Sequence, residues 1–298
     1  MPELRLVHDP GAHVELWLGD RRLFRYVHHP DVPQLESPKP YLHPVHTPAG
    51  DGVTAYRPHD HVWHKGIQLA LPHVGPANFW GGTTWVRGEG YAQLPNNGSM
   101  RHAEFEALEA GGDGARIAER LEWITQEGEH WVDERRTLAA RVFDEAWLLT
   151  FATELRNRSG RELAFGSPTT NGRPNAGYGG LLWRGPRCFT GGEVLAPGGV
   201  RGETAAMGAR GPWLAFVGTQ DETLRRNTVA FFDASEPPWF VRSTPYAVAG
   251  PAPFFHDETA LGDGETLALR CDVAIADGAW GEDDVEAFRA GPLQGAAP

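Results

Sequence analysis

The chain has 298 residues, of which 41% are hydrophobic and 22% are charged, a composition typical of a folded globular protein. Its formal net charge of −12 leaves no basic excess to neutralise phosphates, which argues against nucleic acid or an anionic membrane surface as a partner. The two cysteines, Cys188 and Cys271, lie far apart and show no metal-binding spacing, so we expect no disulfide framework.

The N-terminal segment, the apolar stretches and the distribution of glycine and proline predict the compartment and the number of domains. The N-terminal segment lacks the basic start and apolar core of a signal peptide, and no stretch approaches the roughly 18–20 apolar residues of a membrane span. Glycines and prolines are spread along the chain, without a linker or a repeat of 20–50 residues. We therefore predict a cytoplasmic protein with one domain over residues 1–298.

Short segments of alternating polar and apolar residues dominate most of the chain. They are rich in β-branched and aromatic residues and are bounded by Gly, Pro, Asp or Asn, which is typical of strands. The predicted strands cover residues 13–19, 21–27, 66–71, 212–218, 228–234 and 239–243. Gly19 and Asp20 separate the first two and predict a tight hairpin turn.

Longer alternating segments fill the middle and the end of the chain. Residues 115–160 lack a sustained helical stripe, and "QEGE" and "FDEA" stand where hairpin turns would be needed, so we predict three long antiparallel strands there. A last strand over 264–278 would place Leu267, Leu269, Cys271, Val273 and Ile275 on one face. Residues 281–291 begin with acidic residues and predict a short helix. The predicted fold is a large, all-β, antiparallel sandwich.

The segment "YRPHDHVWHKG", residues 56–66, is the densest group of functional side chains and permits a metal hypothesis. In a strand, His59 and His61 would share a face and could bind one ion, with His64 joining only if the chain bends. The block lacks the glutamate that a cupin-type site adds, since Lys65 and Gly66 stand in its place. We expect no bound metal and no cofactor.

Acid/base chemistry is the alternative that requires fewer ligands. Two positioned imidazoles, His61 and His64, can donate or accept protons near neutral pH, and Asp60 can orient one of them. Arg57 and Lys65 could bind substrate hydroxyl or carboxylate groups, and His59 is a further candidate for substrate binding. Neither a Gly-x-Ser-x-Gly motif nor a Ser-His-Asp order is present.

Other polar residues lie in Gly- and Pro-rich segments and extend the predicted site. The candidates for substrate binding there are Tyr41, His43, Asn78, Trp80, Asn97 and Arg173, and His102 is a further candidate for catalysis. We expect His43, His61, His64 and His102 to meet on one concave face of the sandwich. The carboxylates of the long middle strands are interpreted as solvated faces and not as a glycosidase pair. These carboxylates are Glu119, Glu122, Asp133 and Glu134.

Several of these motifs together resemble a bacterial family of unknown function that carries the label "methane oxygenase PmoA". They are Tyr41-x-His43-Pro44, Thr47, Gly50, Asp60-His61-x-x-His64-Lys65-Gly66, Phe79-Trp80 and Gly98-x-x-x-His102. The chain departs from the family pattern at Trp63, where another histidine is common, and at Lys65, where arginine is common. The label denotes a membrane protein of spanning helices, and this sequence contains no span.

The resemblance implies a β-supersandwich similar to galactose mutarotases and an association with carbohydrates. We therefore predict a carbohydrate-active enzyme that uses histidine acid/base chemistry on a sugar or keto-sugar, by epimerisation, elimination or glycosidic cleavage. The predicted partner is a small-molecule carbohydrate, and a homo-oligomer is left open. Two alternatives stay open: a non-catalytic carbohydrate-binding or regulatory sandwich, and a metal-dependent oxygenase or hydrolase built on His59, His61 and His64.

Overall fold

The computed structural model describes residues 3–296, and over this range the chain is almost entirely β-structure. The strands are β1 Leu4–Asp9, β2 His13–Leu18, β3 Arg21–Val27, β4 Tyr41–Val45, β5 Ile67–Ala70, β6 His73–Val74, β7 Thr84–Val86, β8 Gly90–Ala92, β9 Ser99–Gly111, β10 Gly114–Ile124, β11 His130–Val142, β12 Ala146–Asn157, β13 Leu163–Gly166, β14 Gly180–Arg184, β15 Glu193–Ala196, β16 Val200–Arg201, β17 Trp213–Thr219, β18 Arg226–Phe232, β19 Trp239–Arg242, β20 Val248–Pro251, β21 Thr259–Leu261 and β22 Thr266–Asp277. The α-helices are α1 Glu203–Ala206 and α2 Glu282–Ala290, and short 3-10 turns cover Gln34–Glu36, Arg187–Phe189 and Gln294–Ala296. Neither α-helix in the described part of the chain has the length and apolar character that a membrane span requires.

Two large antiparallel sheets form the sandwich. One has eight strands in the order β1-β2-β3-β4-β5-β14-β20-β19, and the other has nine in the order β16-β15-β17-β18-β22-β12-β11-β10-β9. Smaller sheets of three strands (β21-β13-β6) and two strands (β7-β8) lie beside them. The predicted all-β antiparallel sandwich with a short C-terminal helix is confirmed.

The strand periodicity of the sequence explains how the two sheets pack. The predicted strand over 264–278 is β22, and its residues Cys271, Val273 and Ile275 belong to the main core. The alternate residues of the same strand, Ala274 and Ala276, lie under α2 in a separate apolar cluster. Because successive strand residues point to opposite faces, β22 stabilises both layers at once. The main core takes residues from both large sheets; the single domain over residues 1–298 stays a prediction.

The three long strands predicted between 115 and 160 are β10, β11 and β12, paired as consecutive hairpins. The carboxylates of these strands were predicted to be solvated, and for two of them this prediction is wrong. Glu122 is exposed, but Glu119 and Glu134 are buried, with only 1% and 2% of their surface accessible. Both face inward because strand alternation places them on the core side, where polar partners bind them.

The inward carboxylates belong to a buried ionic network. The Arg136 guanidinium donates two hydrogen bonds to Glu134, at 2.7 and 3.0 Å, and one to the Tyr26 hydroxyl at 2.9 Å. The Tyr26 hydroxyl in turn donates to Glu119. Burial acts to lower the pKa of Arg136, but the charges of Glu134 and its neighbours outweigh it and raise the pKa, so the side chain stays charged.

Candidate active site

The histidine-rich segment forms two tight turns and not a strand. The His61 amide donates to the Pro58 carbonyl at 3.0 Å, and the His64 amide donates to the His61 carbonyl at 2.9 Å. His59 is exposed, whereas His64 is buried. The strand assumed for a metal shared by His59, His61 and His64 is therefore wrong, because the segment turns after His59 and after His61. Within residues 3–296, they do not form a group with metal-binding spacing.

The turns place His61 and His64 at the wall of a cavity of about 480 Å³. The cavity lies over the outward face of the eight-stranded sheet, where β19 and β20 contribute residues, and Tyr91 of β8 also lines it. Loops after β4, β6, β13 and β19 complete its wall. The lining residues are His61, Trp63, His64, Trp80, Gly81, Thr83, Tyr91, Arg173, Ala176, Tyr178, Phe240, Arg242, Pro245, Tyr246 and Val248.

His61 is oriented by its neighbour Asp60. Its Nδ1 lies 2.9 Å from Asp60 Oδ2, and its side chain keeps 30% of its surface accessible. Burial lowers the pKa of His61, and the hydrogen bond and charge of Asp60 oppose this only in part, so the pKa lies below its usual value of 6.5. At neutral pH the ring is therefore neutral. With Nδ1–H donated to the carboxylate, Nε2 has the lone pair that a general base requires.

His64 is held in the opposite tautomer by an arginine. Arg184 Nη1 lies 3.1 Å from His64 Nδ1, and because a guanidinium can only donate, Nδ1 accepts and Nε2 carries the hydrogen. Burial lowers the pKa of His64 well below 6.5, and the charges of His61 and Arg184 act in the same direction. The His64 Nε2 atom is buried and has no partner among the described residues. His64 is thus a neutral imidazole with an unused N–H group, and it lies beside His61, whose Nε2 has a free lone pair.

The two imidazole rings stack on each other with their centroids 4.8 Å apart. Arg184 also contacts Asp60, at 3.2 Å, and its guanidinium lies over the Tyr246 ring at 3.8 Å. The hydrogen bond from His61 and the charge of Arg184 outweigh the effect of burial on Asp60, so the pKa of its carboxyl is lowered and it stays ionised. Arg184 therefore positions both His64 and the hydrogen-bonded pair of Asp60 and His61.

Aromatic rings form much of the remaining wall. The Trp80 and Tyr178 rings lie 4.4 Å apart, and Trp80 meets the His64 ring edge-on at 5.3 Å. The Trp63 indole N–H is buried without a partner in the described part of the chain, as is the His64 Nε2. Flat apolar faces next to unused donors are suited to a ligand with both carbon-bound hydrogens and oxygens.

Two glycines allow Trp63 to reach the wall. Gly82 has a φ of +67°, and a Cβ there would lie 2.6 Å from the Trp63 ring. Gly81 has a φ of +106°, and its Cβ would lie 2.7 Å from the Trp63 Cβ. Asn78, buried with 0% accessibility, holds this turn, because its Oδ1 accepts the amides of Trp80 and Gly81 at 2.8 and 2.9 Å. The motif "NFWGG" is thus explained by packing.

Both lysines of the chain are buried beneath this loop region. Lys39 Nζ donates to the carbonyls of Glu36, Ser37 and Trp80 at 3.2, 2.8 and 2.8 Å. Lys65 Nζ lies 2.8 Å from Glu36 Oε2. A compact ammonium with three donors fits a ring of carbonyls that a planar guanidinium would not. Lysine is rare in this chain and arginine is common, and this bias is the sequence signal that could have identified Lys39 and Lys65.

The predicted site residues divide into those at the cavity and those elsewhere. His61, His64, Trp80 and Arg173 line it, and Asp60 lies directly behind His61. Their roles in catalysis and binding stay predictions. The cavity lining as the structure has it does not include Tyr41, His43, Arg57, His59, Asn78, Asn97 or His102.

Several of these outside residues instead support the loops around the cavity. Arg57 pairs with the buried Glu36 at 2.5 Å, so its guanidinium is not free for substrate. Asn97 is 1% accessible, and its Nδ2 donates to the Gly82 carbonyl at 3.0 Å, which makes it a loop support like Asn78. In both cases the amide or guanidinium satisfies polar groups that burial has removed from water.

Tyr41 and His43 lie on β4 and contact Tyr56, at the start of the histidine-rich turns. His102 lies on β9, in the other large sheet, and contacts His28, His29 and Glu119. The expected meeting of four histidines on one face is therefore wrong, because only His61 and His64 line the cavity, whereas His102 packs against His28 and His29.

Several cavity residues lie far along the chain and were not predicted from the sequence. Phe240 and Arg242 lie on β19, and Tyr178 and Tyr246 belong to the loops beside β14 and β19. Arg184 ends β14 and is not part of the lining, but it contacts His64 and Asp60. Their sequence context is that of ordinary strand ends. Only the pairing of β5 with β14 and of β14 with β20 brings them to residues 56–66.

The fold and cavity together define a β-sandwich protein with an aromatic cavity and an oriented histidine pair. The chain belongs to a family of unknown function, DUF6807, whose pattern matches residues 13–289. This establishes membership in an unknown-function family, as the sequence motifs suggested. None of the curated proteins compared with the chain matches it.

Several solved structures are similar in overall fold. A galactose mutarotase related enzyme from Lactobacillus acidophilus is 8% identical, with a TM-score of 0.40 and coverage of 94% of this chain and 98% of that one. A galactose mutarotase-like protein from Lactobacillus casei is 7% identical, with a TM-score of 0.38 and coverage of 91% and 99%. A GH36 alpha-galactosidase from Geobacillus stearothermophilus is 13% identical, with a TM-score of 0.41; the match covers 94% of this chain and only 41% of the galactosidase.

Proposed function

We propose that the cavity binds a sugar and that the protein transfers a proton at a carbon next to a carbonyl group of that sugar, giving epimerisation or elimination. The observation that carries the proposal is the pair of neutral imidazoles in opposite tautomers, His61 with a free Nε2 lone pair and His64 with an unused Nε2–H. A base and a hydrogen-bond donor side by side are what such a proton transfer requires.

The geometry supports a different role for each ring, with His61 as the base and His64 as the hydrogen-bond donor. His61 Nε2 takes the proton as the C–H bond breaks, and the electron pair moves to the carbonyl oxygen, giving an enediolate. The His64 Nε2–H donates to that oxygen, because a neutral imidazole held by Arg184 is a donor that does not itself give up its proton. Protonation of the enediolate by water on its opposite face gives the epimer, and the His61 imidazolium then releases its proton to solvent. In elimination the oxygen substituent on the next carbon leaves and takes the proton of the His61 imidazolium.

The cavity wall also supports a sugar as the ligand. Its volume lies in the range of roughly 300–1,000 Å³ that is usual for small-molecule sites. Trp80 and Tyr178 offer faces for the C–H side of a sugar ring, and Arg173 offers donors for its oxygens. Glycosidic cleavage is disfavoured, because the described lining contains no carboxylate and a glycosidase uses two.

The experiment that tests the proposal is hydrogen–deuterium exchange in D2O with a panel of aldoses and keto-sugars, followed by proton NMR. We expect loss of the signal of one carbon-bound hydrogen, at a rate proportional to the protein concentration. Binding of a sugar without exchange or conversion would support the second candidate, a non-catalytic carbohydrate-binding sandwich, which the same aromatic wall suits. If no sugar of the panel shows binding or exchange, both candidate functions are contradicted.

The pH dependence of exchange should show a single acid limb below pH 6.5. His61 must be neutral to act as a base, and because its pKa lies below 6.5 the rate should rise through that pKa and then stay level to neutral pH. Asp60 raises the pKa of His61, so Asp60→Asn should move the limb to lower pH and lower the plateau. A limb unmoved by Asp60→Asn would assign the base to another group.

Trp80→Ala should weaken the binding of the exchanging sugar by about tenfold, since an aromatic contact contributes about 0.5–1.5 kcal/mol and also shapes the cavity. The measurement is the dissociation constant by titration calorimetry. Trp17→Ala is the matched control, because this partly buried tryptophan bonds to Glu15 on β2 and is absent from the cavity wall. Equal affinities for the Trp80 and Trp17 variants would remove Trp80 from the site.

A further inference from the structure

A second cluster of histidines lies where the edges of the two large sheets meet, and the proposed function does not use it. His28 and His29 follow β3 of the eight-stranded sheet, and His102 lies on β9 at the edge of the nine-stranded sheet. One ring nitrogen of each lies within 4.8 Å of the others. The ring centroids are 4.5 to 5.2 Å apart.

His28 has a buried nitrogen that no described residue binds. Its side chain is almost fully enclosed, with 1% accessibility. The Nε2 atom lies 3.3 Å from the Asp9 carbonyl, which can only accept, so Nε2 carries the hydrogen and Nδ1 has the lone pair. This Nδ1 is buried without a hydrogen-bond partner. Unpaired buried acceptors are rare in folded proteins, and this one belongs to a ring that packs against two other imidazoles, a setting that suits a shared ligand.

His102 is oriented from behind by a carboxylate. Its Nδ1 lies 2.6 Å from Glu119 Oε2, which leaves Nε2 for the cluster. Glu119 is itself bound by the Tyr26 hydroxyl, and Tyr26 by Arg136 at 2.9 Å. A carboxylate that accepts the second N–H group of a histidine is the usual outer support of a metal ligand, because it fixes the ring and raises its basicity.

An aromatic ring covers one side of the histidine cluster, and the other side is open to solvent. Phe105 covers the rings of His28 and His102, with centroids 4.9 and 4.2 Å away, and His29 is exposed to solvent.

We propose that His28, His29 and His102 form a binding site for a divalent transition ion of the zinc type. Three imidazoles suit Zn²⁺, Ni²⁺ or Cu²⁺ and not Mg²⁺ or Ca²⁺, which prefer oxygen ligands. A fourth position is open to water on the side of His29, as in sites with three protein ligands. The bound ion joins β3 to β9 and so ties one sheet to the other. The expectation of no metal rested on residues 56–66, which this cluster does not include.

The test is calorimetric titration of the untagged, chelator-treated full chain with ZnCl2. We expect one equivalent to bind, and His29→Ala to weaken the binding at least about tenfold. His29 is exposed and bears no core packing, so this variant keeps its fold. His102→Gln should weaken binding at least as much, and His256→Ala, at another exposed histidine, should leave it unchanged.

Thermal unfolding provides a second readout of the same site. Zn²⁺ should raise the Tm of the wild-type chain and of His256→Ala, but not that of His29→Ala, because an ion that binds only the folded state stabilises it. No binding of Zn²⁺, Ni²⁺ or Cu²⁺, or equal zinc affinity in wild type and in both cluster variants, would overturn the proposal. The sugar-exchange activity shares no residue with this site, so the two proposals fail independently.

Discussion

Replacing His61 with glutamine is expected to lower the rate of sugar hydrogen–deuterium exchange by about 10²–10⁴-fold, the usual contribution of a positioned acid or base. Glutamine retains much of the size and the hydrogen bonding of His61 toward Asp60 but has no group that accepts a proton near neutral pH. The rate is measured by proton NMR in D2O on the sugar that the panel identifies. Thermal stability should change by no more than about 1 kcal/mol, because the side chain is partly exposed in a loop.

His59→Gln is the matched control for this variant. His59 lies two residues away in the same turns but is exposed and absent from the cavity wall, so its replacement should leave the exchange rate within a factor of two or so. A His61 variant that exchanges as fast as the His59 variant would contradict the assignment of His61 as the base. Loss of sugar binding together with exchange would instead assign His61 to binding.

The largest loss of stability is expected at Arg136, and Arg136→Met should lower the free energy of unfolding by about 3–5 kcal/mol. The substitution leaves the Glu134 carboxylate buried, 2% accessible, without its two hydrogen bonds from the guanidinium. An uncompensated buried charge has a large desolvation penalty, which methionine cannot offset. Denaturant unfolding followed by tryptophan fluorescence measures the change.

The neighbouring residue provides a matched control. Arg135 pairs with Glu106 at 2.7 Å, but its side chain is 60% exposed, so Arg135→Met should cost no more than about 1 kcal/mol. Adding Glu134→Gln to Arg136→Met should restore part of the stability, since the buried charge is then removed. Similar losses at Arg135 and Arg136 would show that the buried pair adds nothing beyond a surface pair.

Much of the fold could be predicted because strand periodicity is local. The alternation in residues 115–160 is sustained for eleven to thirteen residues in each strand, and β10, β11 and β12 follow it. The same holds for β22 and for the acidic start of α2. In contrast, β9 was not predicted, because its face is largely exposed and its polar residues interrupt the apolar alternation.

The candidate site could be predicted only where its residues are close in sequence. Asp60, His61 and His64 were found because one turn-forming segment carries them all. Arg184 was missed, although it fixes the tautomer of His64 across 120 positions of sequence. His102 was assigned to the wrong group because nearness in sequence to the loops of the cavity does not specify which sheet a strand joins.

The amino-acid sequence alone was sufficient for the all-β class, the long strands β10, β11, β12 and β22, and the histidine-rich segment, since each depends on residue type and spacing over a dozen positions. Which charges are buried was decided only by the tertiary structure. Glu119 and Glu134 alternate with apolar neighbours as surface residues do, and only the packing of one sheet on the other encloses them with Arg136. The tautomers of His61 and His64 depend in the same way on Asp60 and Arg184, because a hydrogen bond is set by a partner's position in space and not by its distance along the chain.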